Sequence, residues 1–103
     1  MEGFSRVARR EEVAPGEMKL VKVGDEQIVL ANLGGRIVAF SNTCPHAGCD
    51  LVYGVLGGEE LECDCHGSLF NVSSGAVLQG PALEPLTLYA VRLEGNDLLV
   101  GPR

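Results

Sequence analysis

The sequence predicts an all-β domain, a small antiparallel sandwich or barrel. Short apolar runs alternate with polar residues at a period of two, and Gly, Pro, Asn and Asp interrupt them every eight to twelve residues. No stretch shows the periodicity of an amphipathic helix, and there are no repeats or low-complexity segments. A chain of 103 residues supports one modest hydrophobic core, so residues 1–103 read as a single domain.

In chain order, residues 4–9 read as a first strand. Glu11-Glu12-Val13 then leads into a turn at Pro15-Gly16, where proline presets its own φ and glycine accepts a positive one. Residues 18–23 form a strand, and Gly24-Asp25 reverses it. Strands at 27–33 and 36–40 flank Gly34-Gly35, a dipeptide suited to a two-residue hairpin. Residues 42–50 follow as a loop. Residues 51–58 are apolar but broken by Gly54, Gly57 and Gly58, and they read as irregular. A short strand at 59–63 delivers a second loop. Residues 69–72 and 76–79 make a hairpin about Ser73-Ser74-Gly75, and Gly80-Pro81 comes next. The longest alternating run is 86–94, with Thr87, Tyr89, Val91 and Leu93 facing one way and Leu86, Leu88 and Ala90 the other. Gly95-Asn96 turns the chain into a last strand at 97–100.

Composition is that of an ordinary soluble globular protein, 46% hydrophobic and 21% charged. The apolar stretches are strand-length, too short to span a bilayer. The first six residues carry no apolar signal-peptide core, which makes the cytoplasm the default expectation. The formal charge of −6 argues against nucleic acid and anionic membranes. It points either to a partner with a basic docking face or simply to solubility. Asn71-Val72-Ser73 fits the glycosylation pattern by chance.

Two motifs concentrate the chemistry, Cys44-Pro45-His46-Ala47-Gly48-Cys49 and Cys63-Asp64-Cys65-His66-Gly67-Ser68. Each pairs a cysteine with a histidine, as Cys44-x-His46 and Cys63-x-x-His66, and these are the only two histidines in the chain. Their closeness to matched cysteines fits ligands better than core histidines. Two thiolates and two imidazoles can hold one tetrahedral zinc ion. They can equally hold a [2Fe–2S] cluster, the thiolates on one iron and the imidazoles on the other. Four cysteines in a cytosolic chain point to metal before disulfides.

The pattern C-x-H-x-G-C followed by C-x-C-H-G-S resembles the Rieske iron–sulfur family, and it includes residues that a zinc site does not need. Gly48, Gly67 and Ser68 fall at Rieske positions. So does Gly80-Pro81, a proline loop that in the family covers the cluster from a third side. The resemblance spans roughly residues 36 to 90. It implies a Rieske-like β-sandwich or barrel with one [2Fe–2S] cluster held by two loops at one tip. Cys44 and Cys63 would bind one iron, and His46 and His66 the other. Imidazole gives less charge than thiolate, so such clusters lie above plant-type ferredoxins in potential, a known property of Rieske centres as a class. The outer ring nitrogens would mark where electrons enter and leave, and their protons would make the potential depend on pH.

Other site assignments follow from the resemblance alone. Cysteines at the positions of Cys49 and Cys65 form a disulfide in the respiratory quinol-oxidising branch, which implies that bond here. Its persistence in a reducing cytosol would require a low potential. Ser68 would donate its hydroxyl to a bridging sulfide and stabilise the reduced cluster. Phe70 stands where high-potential members have a tyrosine that bonds a cysteine sulfur, so one donor is missing. Ala47 replaces the larger apolar residue of quinol-oxidising members and puts quinol oxidation in doubt. Gly48 and Gly67 would let backbone approach the cluster, and Pro81 would cover it. Together these imply a midpoint of around 0 to +200 mV, within a class range of about −150 to +300 mV.

The functional expectation is a soluble one-electron carrier, not an enzyme, passing electrons from a reductase to a terminal oxygenase. Both partners would dock at the His46/His66 tip. The alternatives are a small subunit of a larger oxidoreductase, of nitrite reductase or arsenite oxidase type, and a Cys2His2 zinc module.

Overall fold

Alternating strands and tight reversals build two antiparallel sheets. The computed structural model describes residues 3–45, 48–65 and 67–103, and among them are ten strands, two 3₁₀ turns and no α-helix. The strands are β1 (Ser5–Arg9), β2 (Met18–Val23), β3 (Glu26–Asn32), β4 (Ile37–Ser41), β5 (Val55–Gly57), β6 (Glu60–Glu62), β7 (Leu69–Asn71), β8 (Val77–Gln79), β9 (Leu88–Glu94) and β10 (Asp97–Pro102). The larger sheet has the order β1-β10-β9-β4-β3-β2, and its edge strands β1 and β2 approach each other, so it is nearly a closed barrel. The smaller sheet is β5-β6-β7-β8. Among the described residues no helix is long and apolar enough to cross a membrane.

Turn chemistry acts where the sequence places it. Val23 pairs with Glu26 and Glu94 with Asp97, leaving Gly24-Asp25 and Gly95-Asn96 as two-residue reversals. The Leu33 N–H donates to the Arg36 carbonyl at 2.7 Å across Gly34-Gly35, and Glu17 N–H to Ala14 at 2.9 Å across Pro15-Gly16. Most strand limits lie within one or two residues of those read from the sequence. The strand expected from residue 86 starts at Leu88; Leu86 is buried just ahead of it.

β3 is buried on both faces, which is why Ile28-Val29-Leu30-Ala31 is continuously apolar rather than alternating. Ile28 and Leu30 join Val21, Ala39, Leu98 and Val100 inside the curled sheet, with Tyr89 and Val91 against them. Val29, Ala31 and Phe40 face outward and meet Leu61, Phe70 and Val72 of the smaller sheet and its flank. Cys44 and Cys63 belong to this second core, at the seam between the sheets.

The reading of residues 51–58 as irregular requires correction. Leu51–Tyr53 forms a 3₁₀ turn and Val55–Gly57 is β5, paired with β6. The glycines conceal this because they resemble strand breakers. Gly54 instead serves close packing: a Cβ there would collide with the Glu62 carbonyl and lie 3.1 Å from both the Leu51 carbonyl and Leu61 Cδ1. A second 3₁₀ turn, Arg10–Glu12, also escaped the sequence reading; the Arg9 N–H donates to the Glu12 carboxylate at 3.2 Å.

Gly54→Ala should therefore destabilise the protein by about 1–3 kcal/mol, the cost of forcing a methyl into packed backbone. Gly57→Ala, with nothing within 4 Å of its Cβ, should stay within about 0.5 kcal/mol of the parent. Denaturant unfolding followed by circular dichroism distinguishes the two.

Candidate metal centre

Each cysteine of interest follows closely on a strand that anchors it, Cys44 three residues after β4 and Cys63 directly after β6. β4 ends at Ser41, and residues 42–50 lead out and back, joined at their base by a bridge between Thr43 and Asp50. β6 and β7 form a hairpin with Leu61 opposite Phe70 and Glu62 opposite Leu69, so Cys63 leaves the sheet where Ser68 re-enters it. The thiol-bearing residues Cys44 and Cys63 are buried, 1% and 3% exposed, in one shared core.

The two loops close in the same way. Cys44 N–H donates to the Cys49 carbonyl at 2.8 Å, and Gly48 N–H to the Cys44 carbonyl at 2.9 Å. In the second loop Cys63 N–H donates to the Ser68 carbonyl at 2.8 Å, and Gly67 N–H to the Cys63 carbonyl at 3.1 Å. The fourth residue after each cysteine is a glycine with φ of +73° at Gly48 and +75° at Gly67. Side-chain-bearing residues resist that conformation, which explains glycine at both positions.

Ser68 ties the second loop to the proline segment. It is fully buried, and its Oγ accepts the Ala82 N–H at 2.9 Å. That bond occupies an oxygen lone pair, so the hydroxyl proton remains available to another acceptor. Pro81, after Gly80 in a cis peptide, is exposed beside the buried Ala82. Phe70 is fully buried in the core that holds Cys44 and Cys63, and its ring brings no polar atom there.

Cys49 and Cys65 come together, with their sulfurs in bonding contact and Cα atoms 6.4 Å apart, linking the two loops. Cys65 is exposed and Cys49 half-buried, so this pair lies outside the buried thiols. The expectations for His46, Ala47 and His66 fall outside the described residues.

One supporting residue escaped the sequence reading. Asn42 is fully buried at the base of the first loop. Its carbonyl accepts the Leu51 N–H at 2.7 Å, and its Oδ1 accepts the Val52 N–H at 3.0 Å. Its Nδ2 donates to Gln27 Oε1 at 3.1 Å, and its own N–H to the Gln27 carbonyl at 3.0 Å. One side chain thus joins the outgoing and returning arms of the loop to β3. The available signal was an asparagine directly after an apolar strand and two residues before a candidate ligand.

Burial raises the Tyr89 phenol above its ordinary value, and the Glu26 carboxylate adds to the shift. Among the described residues no three His, Cys, Asp or Glu side chains converge. Two buried soft thiols on matched loops nevertheless suit iron–sulfur ligation. The Ser68 hydroxyl is buried with them, and the sequence adds His46 and His66 as candidate partners, so the donor chemistry fits a mixed cysteine–histidine cluster.

Comparison with known proteins bears on the same residues. The model of the Rieske [2Fe-2S] domain matches residues 3–90. The ferredoxin component of biphenyl 2,3-dioxygenase from Rhodococcus jostii (strain RHA1) is 38% identical over 97 residues, covering 94% of this chain and 91% of its own. The ferredoxin of carbazole 1,9a-dioxygenase from Nocardioides aromaticivorans IC177 superposes with a TM-score of 0.91 at 32% identity, over 99% of this chain and 100% of that one. A chain in the complex of reduced oxygenase and oxidized ferredoxin in carbazole 1,9a-dioxygenase matches with a TM-score of 0.90 at 28% identity, over 95% of this chain and 92% of that one.

Asn42→Ala removes the acceptor of the Val52 N–H and the partner of the Gln27 amide. We expect a loss of about 1–3 kcal/mol, the usual cost of stranding buried polar groups. Hydrogen exchange should show faster opening of residues 50–53 than in the parent, with the far end of β3 unchanged.

Proposed function

Because the chain belongs to the Rieske [2Fe–2S] domain family, we propose that it carries single electrons from a reductase to a terminal oxygenase. Its cofactor is one [2Fe–2S] cluster, so the zinc alternative falls away. We assign Cys44 and Cys63 as ligands of one iron and His46 and His66 as ligands of the other. The observation that carries this assignment is the pair of matched loops, each closing over a thiol buried in one core. When bound, the cluster takes up and releases one electron at a potential raised by imidazole ligation.

The remaining residues act by binding, shielding and tuning. Ser68 is assigned as hydroxyl donor to the cluster; its bond from Ala82 orients the oxygen while leaving the proton free. Gly48 and Gly67 keep the loop backbone close to the buried thiols, and Pro81 covers the third side. Phe70 excludes water without offering a hydrogen bond. Cys49 and Cys65 form a disulfide in this reading, and their separation of 16 residues corresponds to about 3 kcal/mol in the chain-entropy model. The cluster joins the same loops, so the measured benefit should be smaller. No side chain receives a catalytic role; chemistry on a substrate belongs to the partner. An oxygenase is favoured as acceptor because the similar chains are a dioxygenase's ferredoxin component and a ferredoxin seen with its oxygenase.

The purified protein should contain about two irons and two sulfides, the composition of a [2Fe–2S] cluster. After dithionite reduction it should give an electron paramagnetic signal with the low average g of mixed ligation. Ser68→Ala should lower the midpoint, and Phe70→Tyr raise it, by at least a few tens of millivolts, about 59 mV corresponding to a tenfold change in the one-electron equilibrium. An all-cysteine signal overturns the ligand set. An unmoved midpoint in Phe70→Tyr shows that residue 70 does not face a cluster sulfur.

Thiol titration of denatured, cluster-free protein before reduction tests the disulfide. Only Cys44 and Cys63 should react; four reactive thiols would mean that the bond is absent.

A further inference from the structure

The charge of this chain is divided unevenly. Residues 37–91 contain six carboxylates (Asp50, Glu59, Glu60, Glu62, Asp64 and Glu84) and no Lys or Arg, while the rest carries eight acidic and eight basic residues. The whole formal charge of −6 therefore lies on the segment that supplies both cluster loops and the proline segment. Glu59 lies 3.6 Å from Arg36; the other five make no ion pair among the described residues. These carboxylates are solvent-exposed. Glu59 and Glu60 sit at the far end of β6 from Cys63, but Glu62, Asp64 and Glu84 flank Cys63 and the proline segment, so an unneutralised acidic field surrounds the metal-centre end.

Within that acidic end stands Leu83, 94% exposed and the most exposed of the large apolar side chains described. A lone exposed leucine ordinarily signifies nothing. This one is held on both sides. Ala82 is buried with its N–H on Ser68 Oγ at 2.9 Å, and Leu86 is buried with its N–H on the Gly75 carbonyl at 2.9 Å. Pro85 lies within the short span between them and Pro81 just ahead of it, and both restrict its backbone. Pro45, Pro81, Leu83 and Glu84 line a shallow depression of about 360 Å³, which joins the first cluster loop to the proline segment. With the backbone anchored at Ala82 and Leu86, the segment has less freedom to lose when a partner covers Leu83 than an untethered loop would have. Surrounding carboxylates would speed encounter, while the apolar centre would hold the complex.

We propose that Leu83 is the anchor of the docking face for the terminal oxygenase, entering an apolar socket on the oxygenase rimmed by Lys and Arg. The choice of occupant rests on the electron-carrier reading above. Charge complementarity argues for it, because the carboxylates Glu62, Asp64 and Glu84 attract a basic surface to this end and repel an acidic one. Seating at Leu83 would bring that surface against Pro45, the neighbour of Cys44.

The test is stopped-flow reduction of the oxygenase component of a biphenyl 2,3-dioxygenase by dithionite-reduced holoprotein, with variants whose midpoint is confirmed unchanged by voltammetry. Leu83→Ser should lower the second-order rate constant about tenfold, as loss of an interface anchor does, with an unchanged salt slope. Glu84→Lys should lower it about threefold at low ionic strength and flatten its dependence on salt. Leu93→Ser, an exposed leucine on β9 in the electrically balanced part of the chain, should match the parent. A parental rate in Leu83→Ser overturns the docking face while leaving the carrier reading intact. Failure of the parent itself to reduce the oxygenase overturns that reading and this occupant together.

Discussion

Two backbone hydrogen bonds in each loop hold a cysteine thiol inward at the seam between the sheets, and the rest of the tip depends on that closure. Both loops are rich in glycine, proline and small or polar residues, so burial alone cannot shape them. Directional bonds do so instead: the cysteine N–H reaches five residues ahead, and the glycine N–H returns to the cysteine carbonyl. Only a residue free to take a positive φ can sit at that return point, so Gly48 and Gly67 are requirements of geometry. The matching closure leaves the two thiols in equivalent settings although the histidine spacing differs between the motifs.

The platform beneath is sturdier than the tip. β3 and β4 each turn one set of side chains into the curled sheet and another into the seam, so the cluster loops rise from doubly buried strands. The smaller sheet has strands of only three residues, too short to persist alone. Leu61, Phe70 and Val72 fasten it to the larger sheet at the same seam that encloses Cys44 and Cys63. If Cys44 and Cys63 ligate the cluster as proposed, folding of that sheet and cluster binding are coupled through these shared core residues.

Buried polar side chains provide the connections that apolar packing cannot. Asn42 spans the arms of the first loop, and Ser68 joins the second to the proline segment, and the buried side-chain oxygens and nitrogen of both have partners. An apolar substitute at either position would leave backbone N–H groups without partners in the interior. The bond that orients Ser68 leaves a proton to donate, so one hydroxyl can serve both architecture and tuning.

The sequence alone determined the all-β class, the three tight hairpins and the cysteine–histidine motifs, because each depends on residues close together in the chain. Gly34-Gly35 reverses β3 into β4 whatever lies beyond, and Cys44-x-His46 declares metal chemistry without reference to its surroundings. Residues 51–58 were not legible, because Gly54 resembles a strand breaker until the Glu62 carbonyl is seen pressed against it. Nor did Asn42 reveal itself, since its partners Gln27 and Val52 are remote in the chain. Which apolar residues of β3 face which core, how Cys49 comes beside Cys65, and why Leu83 stands exposed between two anchored residues were decided by tertiary packing. Those outcomes depend on contacts between segments that only the folded chain brings together.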